Sequence, residues 1–401
     1  MRPSVIVGLL LFFGLYFPTT ASEHLTILSV SGYLVCIALL ASLVLKSRHL
    51  PSFPVCVLLL SITPLLLAFT STSGLPTLRL GALLGYGVVS VLFTIDLRDI
   101  RLPQWFGRLW VPVSIINIAA GFAIVAGVQR VNDFIIAYYS VAYDELLPNM
   151  LALHKPVLTF GSHSIAAFFL YLFFWVNLQA YKVKCKWWFM TFSVCYLLLI
   201  ACLLSVSAVV FFAVGSIQLA THLLSAIRHK LAWATIALCT VIATAVSWNH
   251  VFNWGSAIDV VKVIVQDPAN GLSGRFLPGG TMFYDLQYLG EHPFSPVGAS
   301  FREGLMFGDC GSVEYVLRGS LPLLFLMYGG LFYFLRRNLT SRFDAVFLFV
   351  AVLMFEFGIT TLTNLRALYL IPVFIVYLNS LTVPQAQPHG LQRFRPLGAD
   401  T

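Results

Sequence analysis

Apolar residues along the chain gather into runs of near span length, at 4–20, 25–45, 51–70, 80–95, 109–128, 164–181, 187–204, 206–227, 231–248, 320–335, 343–361 and 367–383. A helix needs about 20 mostly apolar residues to cross a hydrocarbon core about 30 Å thick. The breaks between runs carry Lys/Arg clusters or the Gly, Pro, Ser and Asn residues of turns. Nothing alternates over the ten-residue segments that a transmembrane barrel requires. The pattern predicts an all-α polytopic membrane protein with about 12 transmembrane helices, forming a single transmembrane domain over 1–383.

Composition sharpens this. Of 401 residues, 59% are hydrophobic and 10% charged, with a mean hydropathy of +0.88. A soluble domain is about 45–50% apolar and about 25% charged. A water-soluble enzyme, a nucleic-acid-binding domain and a secreted disulfide scaffold are therefore excluded.

Charge placement then orients the chain, because Lys and Arg near span ends stay in the cytoplasm. With the N-terminus inside, the cytoplasmic breaks hold 16 of the 24 Lys and Arg residues, among them Lys46, Arg98, Arg108, Lys184, Lys186, Arg228 and Arg337. Eleven of the 16 acidic residues fall outside. Both termini are expected in the cytoplasm, and the polar, Pro/Gly-rich stretch 384–401 is expected to be a cytoplasmic tail. Residues 1–21 also fit a signal peptide, but the spans that follow favour an uncleaved first helix. The seven cysteines are scattered, and no CxxC, HExxH, Walker-type or GxGxxG pattern occurs, so neither metal nor nucleotide chemistry is signalled.

Two connections are long, 129–163 and 249–319, and both are expected outside. Long loops bearing aromatics and charges are usually functional. Within the second, 257–266 and 281–290 read as short helices, 308–311 as a turn, and 312–320 as a helix leading straight into the tenth span. Its charges include Arg275, Arg302, Asp309, Glu314 and Arg318. Arginine offers a planar, permanently charged fork suited to phosphate. Glu314 and Arg318 also stand at i,i+4, the spacing of a local ion pair. Glu356 lies inside the eleventh run, where a carboxylate is costly and needs a partner; Arg366 is the nearest candidate. Asn117, Gln218 and His222 are expected to make interhelical hydrogen bonds. Arg130 and the histidines 154 and 163 belong to the smaller loop.

In the large loop, NGLSGRF (270–276) and FYDLQYLGEHPFSPVGASF (283–301) resemble the periplasmic loop of the bacterial O-antigen polymerase/ligase superfamily. Its members show a Ser/Thr-Gly-Arg, a short helix and an Asn/His-Pro-hydrophobic turn. GDCGSVEYVLRGSLPLLFLMYGGLFYFLRR (308–337) is similar to the segment that follows, where an Asp-containing turn precedes a helix entering the next span. Ligases place a His, often followed by Asn, where this chain has Asp309-Cys310, so the resemblance favours the Wzy-type polymerase members.

That resemblance implies a GT-C-like glycosyltransferase of the inner membrane, working without cofactor or metal. It would join undecaprenyl-pyrophosphate-linked oligosaccharides into O-antigen or capsular polysaccharide at the periplasmic face. Asp309, then Glu314 and Glu356, would be the candidate bases. Arg275, with Arg302 and Arg318, would hold pyrophosphate, and Arg130 and Arg366 would complete the basic set. Partners would be the lipid-linked glycans, the bilayer and a chain-length-regulating membrane protein, with no nucleic acid. The rival readings are an O-antigen ligase acting on lipid A core, a flippase or transporter for lipid-linked sugars, and a non-catalytic envelope scaffold. Transporters keep broken helices and polar groups at the midplane in repeated halves, whereas here the apolar runs are nearly free of charge, the halves do not match and the polar mass lies in one outside loop.

Overall fold

The computed structural model describes residues 2–17, 26–46, 53–69, 76–98, 100, 102–139, 146–226, 276–278, 280, 282–292, 297–298, 310–356 and 365–382. Among the described residues all regular structure is helical. The helices are α1 (Pro3–Tyr16), α2 (Thr26–Lys46), α3 (Phe53–Phe69), α4 (Pro76–Thr94), α5 (Gln104–Val125), α6 (Gln129–Tyr139) and α7 (Leu146–Ala152). They continue as α8 (His163–Lys184), α9 (Trp187–Cys202), α10 (Val206–Ala226), α11 (Phe283–Glu291), α12 (Gly311–Asn338), α13 (Arg342–Glu356) and α14 (Leu365–Thr382). The run at 231–248, the segment 257–266 and the tail 384–401 lie outside the described residues.

Among the described residues three helices are long and apolar enough to cross a membrane: Trp105–Val125, His163–Lys184 and Gly311–Asn338. Shorter apolar helices accompany them, including Pro3–Tyr16, Trp187–Cys202 and Arg366–Leu381. The bundle is built around α8 and α14. Both are apolar on all faces, the signature of a helix enclosed by other helices; Ala166, Phe169, Leu172 and Phe173 are fully buried, as are Leu368, Ile371 and Phe374. Helix α8 packs on α9, α10, α13 and α14, while α14 also meets α1, α2 and α4. Its ends follow from local chemistry. The Ser162 hydroxyl accepts from the Ile165 N–H, and Cys185 closes the far end in the left-handed conformation, with Lys182 and Lys184 in the last turn facing the negative end of the helix dipole.

Aromatic stacking and small residues set the helix spacings. Trp110 lies on Tyr377 at 4.5 Å between ring centroids, and its indole N–H reaches Asn177 at 3.2 Å. Phe168 stacks on Phe355 at 4.5 Å, joining α8 to α13. A Cβ at Gly14 would come within 2.7 Å of Leu370, so glycine is what lets α1 approach α14. Outward, Phe12, Ile116, Ile217 and Phe325 stand exposed on helix faces, an apolar surface suited to lipid rather than water.

Two elements differ from the sequence expectation. The loop 129–163 contains α6 and α7, because its apolar positions recur at helical spacing: Val131, Phe134, Ile135 and Tyr138 line one side of α6. And α12 is not continuous. Its backbone leaves helical geometry at Gly319 and Ser320, the latter left-handed at φ 58°. Pro322 explains the break, since it has no N–H to offer the Arg318 carbonyl four residues earlier. That carbonyl instead accepts from the Gly298 N–H at 2.9 Å, and the Leu317 carbonyl from the Val297 N–H at 2.7 Å. The helix therefore splits into a short first piece, 311–318, and a spanning piece, 321–338, about 27 Å long at 1.5 Å per residue.

The C-terminal end of α12 is fastened by a polar clasp. Asp96 accepts from Arg337 at 2.8 Å and from Arg98 at 2.6 Å. Asn338 accepts from the Leu97 N–H at 2.6 Å and donates to the Ile95 carbonyl at 3.0 Å. Asn379 of α14 donates to the Asn338 carbonyl at 2.6 Å and accepts from Thr340. Burial alone would raise the Asp96 carboxyl, but hydrogen bonds from Arg98 and Arg337 outweigh it and hold the group at about 2 instead of 3.8.

A carboxyl lowered on folding stabilises the fold above its unfolded value, and that contribution is lost as pH falls from about 4 through about 2. Because Arg98 is half exposed and water screens it, Asp96→Asn should cost about 1–2 kcal/mol at pH 7. Unfolding of the detergent-solubilised protein should show that gap, and the gap should close near pH 2. A gap that stays constant with pH would assign the clasp to packing alone.

Candidate functional site

At the opposite end of α12 three of the charged residues of the sequence analysis meet: Glu314, Arg318 and Glu356. The first piece of the helix carries Glu314 and Arg318 one turn apart, and both are buried. The Arg318 Nε donates to Glu314 Oε1 at 2.7 Å, and its Nη1 donates to the Gly298 carbonyl at 3.0 Å. One guanidinium thus neutralises a carboxylate and ties the 297–298 turn to the broken helix. That turn's backbone N–H groups donate to the Arg318 carbonyl that Pro322 leaves open and to the Leu317 carbonyl freed by the break at Gly319–Ser320. The ion pair and the helix break are one construction.

Glu356, the last residue of α13, reaches into the same cluster and is 1% exposed. Its Oε1 accepts from the Tyr315 hydroxyl at 3.0 Å and its Oε2 from the Tyr328 hydroxyl at 3.3 Å. The carboxylate also lies against Gly311, where an added Cβ would overlap Oε2. Gly311 opens α12, so the negative charge sits at the positive end of the helix dipole, among N–H groups that no helical carbonyl can satisfy. Tyr315 packs edge-on against Tyr328 at 5.6 Å and against Tyr86 of α4 at 6.3 Å. Tyr86 is fully buried within the electrostatic reach of Glu314, Arg318 and Glu356. Among the described residues α3, α4, α11 and α13 pack on α12. Asp285 of α11 is wholly buried as well.

Glu314, Arg318 and Glu356 are therefore brought together, with Tyr86, Tyr315 and Tyr328 between them. The tyrosines were not singled out from sequence. Their signal was available, since a tyrosine inside an apolar span needs a partner for its hydroxyl, but the partner is 41 residues away from Tyr315. Asp309, Arg275 and Arg302 lie outside the described residues.

Arg366 serves a different place. It was the expected partner of Glu356, yet its Nη2 donates to the Phe17 carbonyl at 2.8 Å and its Nη1 to the Thr159 carbonyl. It also lies over the Phe160 ring at 5.5 Å. There it binds the end of α1, where a cation meets the negative end of the helix dipole. Nearby, Tyr139 donates to the Tyr16 carbonyl at 2.6 Å and Thr159 to that of Leu15. Burial raises the Tyr139 phenol above its ordinary value against the opposing pull of Arg366. Arg130 stands exposed in the first turn of α6. Asn117 and Gln218 do make interhelical bonds, accepting from Tyr16 at 3.3 Å and Tyr171 at 3.2 Å, while His222 packs edge-on against Tyr181.

No family model, curated protein or solved structure matches this chain. The cluster must be read from its own chemistry. Two carboxylates, one arginine and three phenols, shielded from water at the start of a broken helix, can hold negative charge in fixed geometry and take up a proton.

The pair itself is open to a stability test. Glu314→Ala removes the carboxylate that accepts from the buried Arg318 Nε and should cost about 3–5 kcal/mol. Glu314→Ala combined with Arg318→Met removes both charges and should recover more than half of that loss in detergent unfolding. If Glu314→Ala alone falls within about 0.5 kcal/mol of the parent protein, the pair does not anchor the broken helix.

Proposed function

We propose that this chain is a bacterial inner-membrane glycosyltransferase that polymerises undecaprenyl-pyrophosphate-linked oligosaccharide repeat units into O-antigen or capsular polysaccharide at the periplasmic face. The observation that carries the proposal is the buried cluster of Glu314, Arg318 and Glu356 at the broken start of α12. Glu314 and Arg318 lie within the 270–337 stretch that resembles the polymerases, and Glu356 follows it in the chain. About twelve spans in a GT-C-like arrangement, both termini cytoplasmic, put that cluster on the periplasmic side. The basic breaks that include Arg98, Arg108, Lys184 and Arg337 then face the cytoplasm, as charge bias requires.

In this reading an acceptor hydroxyl of one lipid-linked repeat attacks the anomeric carbon of the growing chain. A new C–O bond forms, the bond to pyrophosphate breaks, and undecaprenyl pyrophosphate leaves with the electron pair. Two demands follow: a base for the hydroxyl proton and cations for the departing charge. Asp309 leads as base, one residue before the cap of α12, with Glu356 and Glu314 behind it. Arg275 and Arg302 hold the pyrophosphate. Arg318 is the third cation of this set and also fixes Glu314 and the 297–298 turn, Arg130 takes the second lipid phosphate from its exposed position, and Arg366 holds the end of α1. Pyrophosphate is already an activated leaving group, so neither metal nor nucleotide is required.

The test is polymerisation by the purified full-length protein in nanodiscs, supplied with lipid-linked repeat units. The parent protein should produce a ladder of lengthening glycans. Arg275→Ala should lower the rate about 100-fold or more, the scale for loss of a charge-stabilising donor, while inserting and folding normally. A correctly inserted Arg275→Ala protein that polymerises at the parent rate would overturn the assignment.

A further inference from the structure

A second site lies at the other end of the bundle, on the side of the Asp96 clasp. Here the ends of α8 and α14 and the starts of α5 and α9 enclose a cavity of about 440 Å³, within the ~300–1,000 Å³ of small-molecule sites. Three cations line it, Arg108, Lys184 and Lys186. Lys184 Nζ sits over the Phe189 ring at 5.7 Å and the Tyr377 ring at 5.9 Å, and Lys186 Nζ over Trp188 at 4.9 Å. Among the described residues no carboxylate pairs with any of the three. Lysines at a span end are commonly just solvated, and cations alone would define no site.

The aromatic lining supplies the independent observation. The Trp188 indole N–H and the Tyr377 hydroxyl are both buried polar groups without a hydrogen-bond partner among the described residues, and the Tyr377 side chain is 2% exposed. Both line this cavity. Two unsatisfied groups able to donate, beside three uncompensated cations, call for a ligand with several anionic oxygens, because buried donors are otherwise costly. Leu102 and Val111 add an apolar wall. An anion joined to an apolar chain satisfies the whole lining at once, and a basic pocket between helices at a membrane surface is the usual form of such sites.

We propose that this pocket binds the phosphate headgroup of an anionic membrane lipid. Arg108, Lys184 and Lys186 hold the phosphate oxygens, Trp188 and Tyr377 donate to the remaining headgroup oxygens, and the first methylenes of the tail run against Leu102 and Val111. The site is remote from the Glu356 cluster and stands whether or not that cluster polymerises glycans.

Native mass spectrometry of the full-length protein in detergent, titrated separately with phosphatidylglycerol, phosphatidylcholine and inorganic phosphate, tests it. Phosphatidylglycerol should bind about 10-fold or more tightly than phosphatidylcholine, and inorganic phosphate should not compete at equal concentration. The Lys184→Ala/Lys186→Ala variant, changed only at exposed positions, should lose that preference. Tyr377→Phe, which keeps the stack on Trp110, should weaken phosphatidylglycerol binding about 3-fold, and Lys182→Ala, outside the pocket, should leave it unchanged. Arg108→Ala provides a second cation test should the double variant fold poorly. Equal binding of the two lipids, or an undiminished preference in both cation variants, would overturn the site. Competition by inorganic phosphate at equal concentration would overturn its assignment to a lipid.

Discussion

A charge buried in an apolar bundle has no water to turn to, so the protein must supply its partners. Helix α12 meets that constraint at both ends, and much of the structure is arranged around it. At its start it provides Arg318 for Glu314, and Tyr315 and Tyr328 for Glu356. At its end it provides Arg337 for Asp96 and Asn338 for the backbone of the 95–97 turn. Between these ends its faces are apolar and pack on α3, α4 and α13. The break at Gly319–Ser320 lets the two ends point differently: the first piece faces the 297–298 turn, and the second crosses the bundle.

The fold was legible to the extent that it follows local periodicity. Apolar runs at 4–20, 164–181 and 187–204 correspond to α1, α8 and α9 within a few residues, because length and hydrophobicity set them. The helix at 281–290 corresponds to α11 for the same reason. Periodicity masked by a polar composition was missed in α6, and α7 is only seven residues long, too short for its apolar run to read as a helix. Pro322 stood in view, but its effect depends on Val297 and Gly298 arriving to take the open carbonyls, a tertiary event with no local mark.

The candidate site divides along the same line. Glu314 and Arg318 could be paired from spacing alone, since i,i+4 neighbours meet on any helix. Glu356 could be flagged as needing a partner but not matched to it. Arg366 was ten residues away in sequence, yet it answers the carbonyls at the end of α1, while Tyr315 and Tyr328 close on Glu356 from another helix. The aromatic lining of the Arg108–Lys184–Lys186 pocket was equally hidden, because Tyr377 reaches it from a helix nearly two hundred residues later.

A cell without this protein should mishandle its lipid-linked glycans in a way set by the step that is lost. Profiling both the surface polysaccharide and the undecaprenyl-linked pool of a deletion strain tests the polymerase assignment most directly. Loss of a polymerase leaves single repeat units on the lipid A core and removes the long ladder. Long glycans stranded on the lipid carrier would contradict the claim by revealing a ligase, and single units trapped on the cytoplasmic face would contradict it by revealing a flippase.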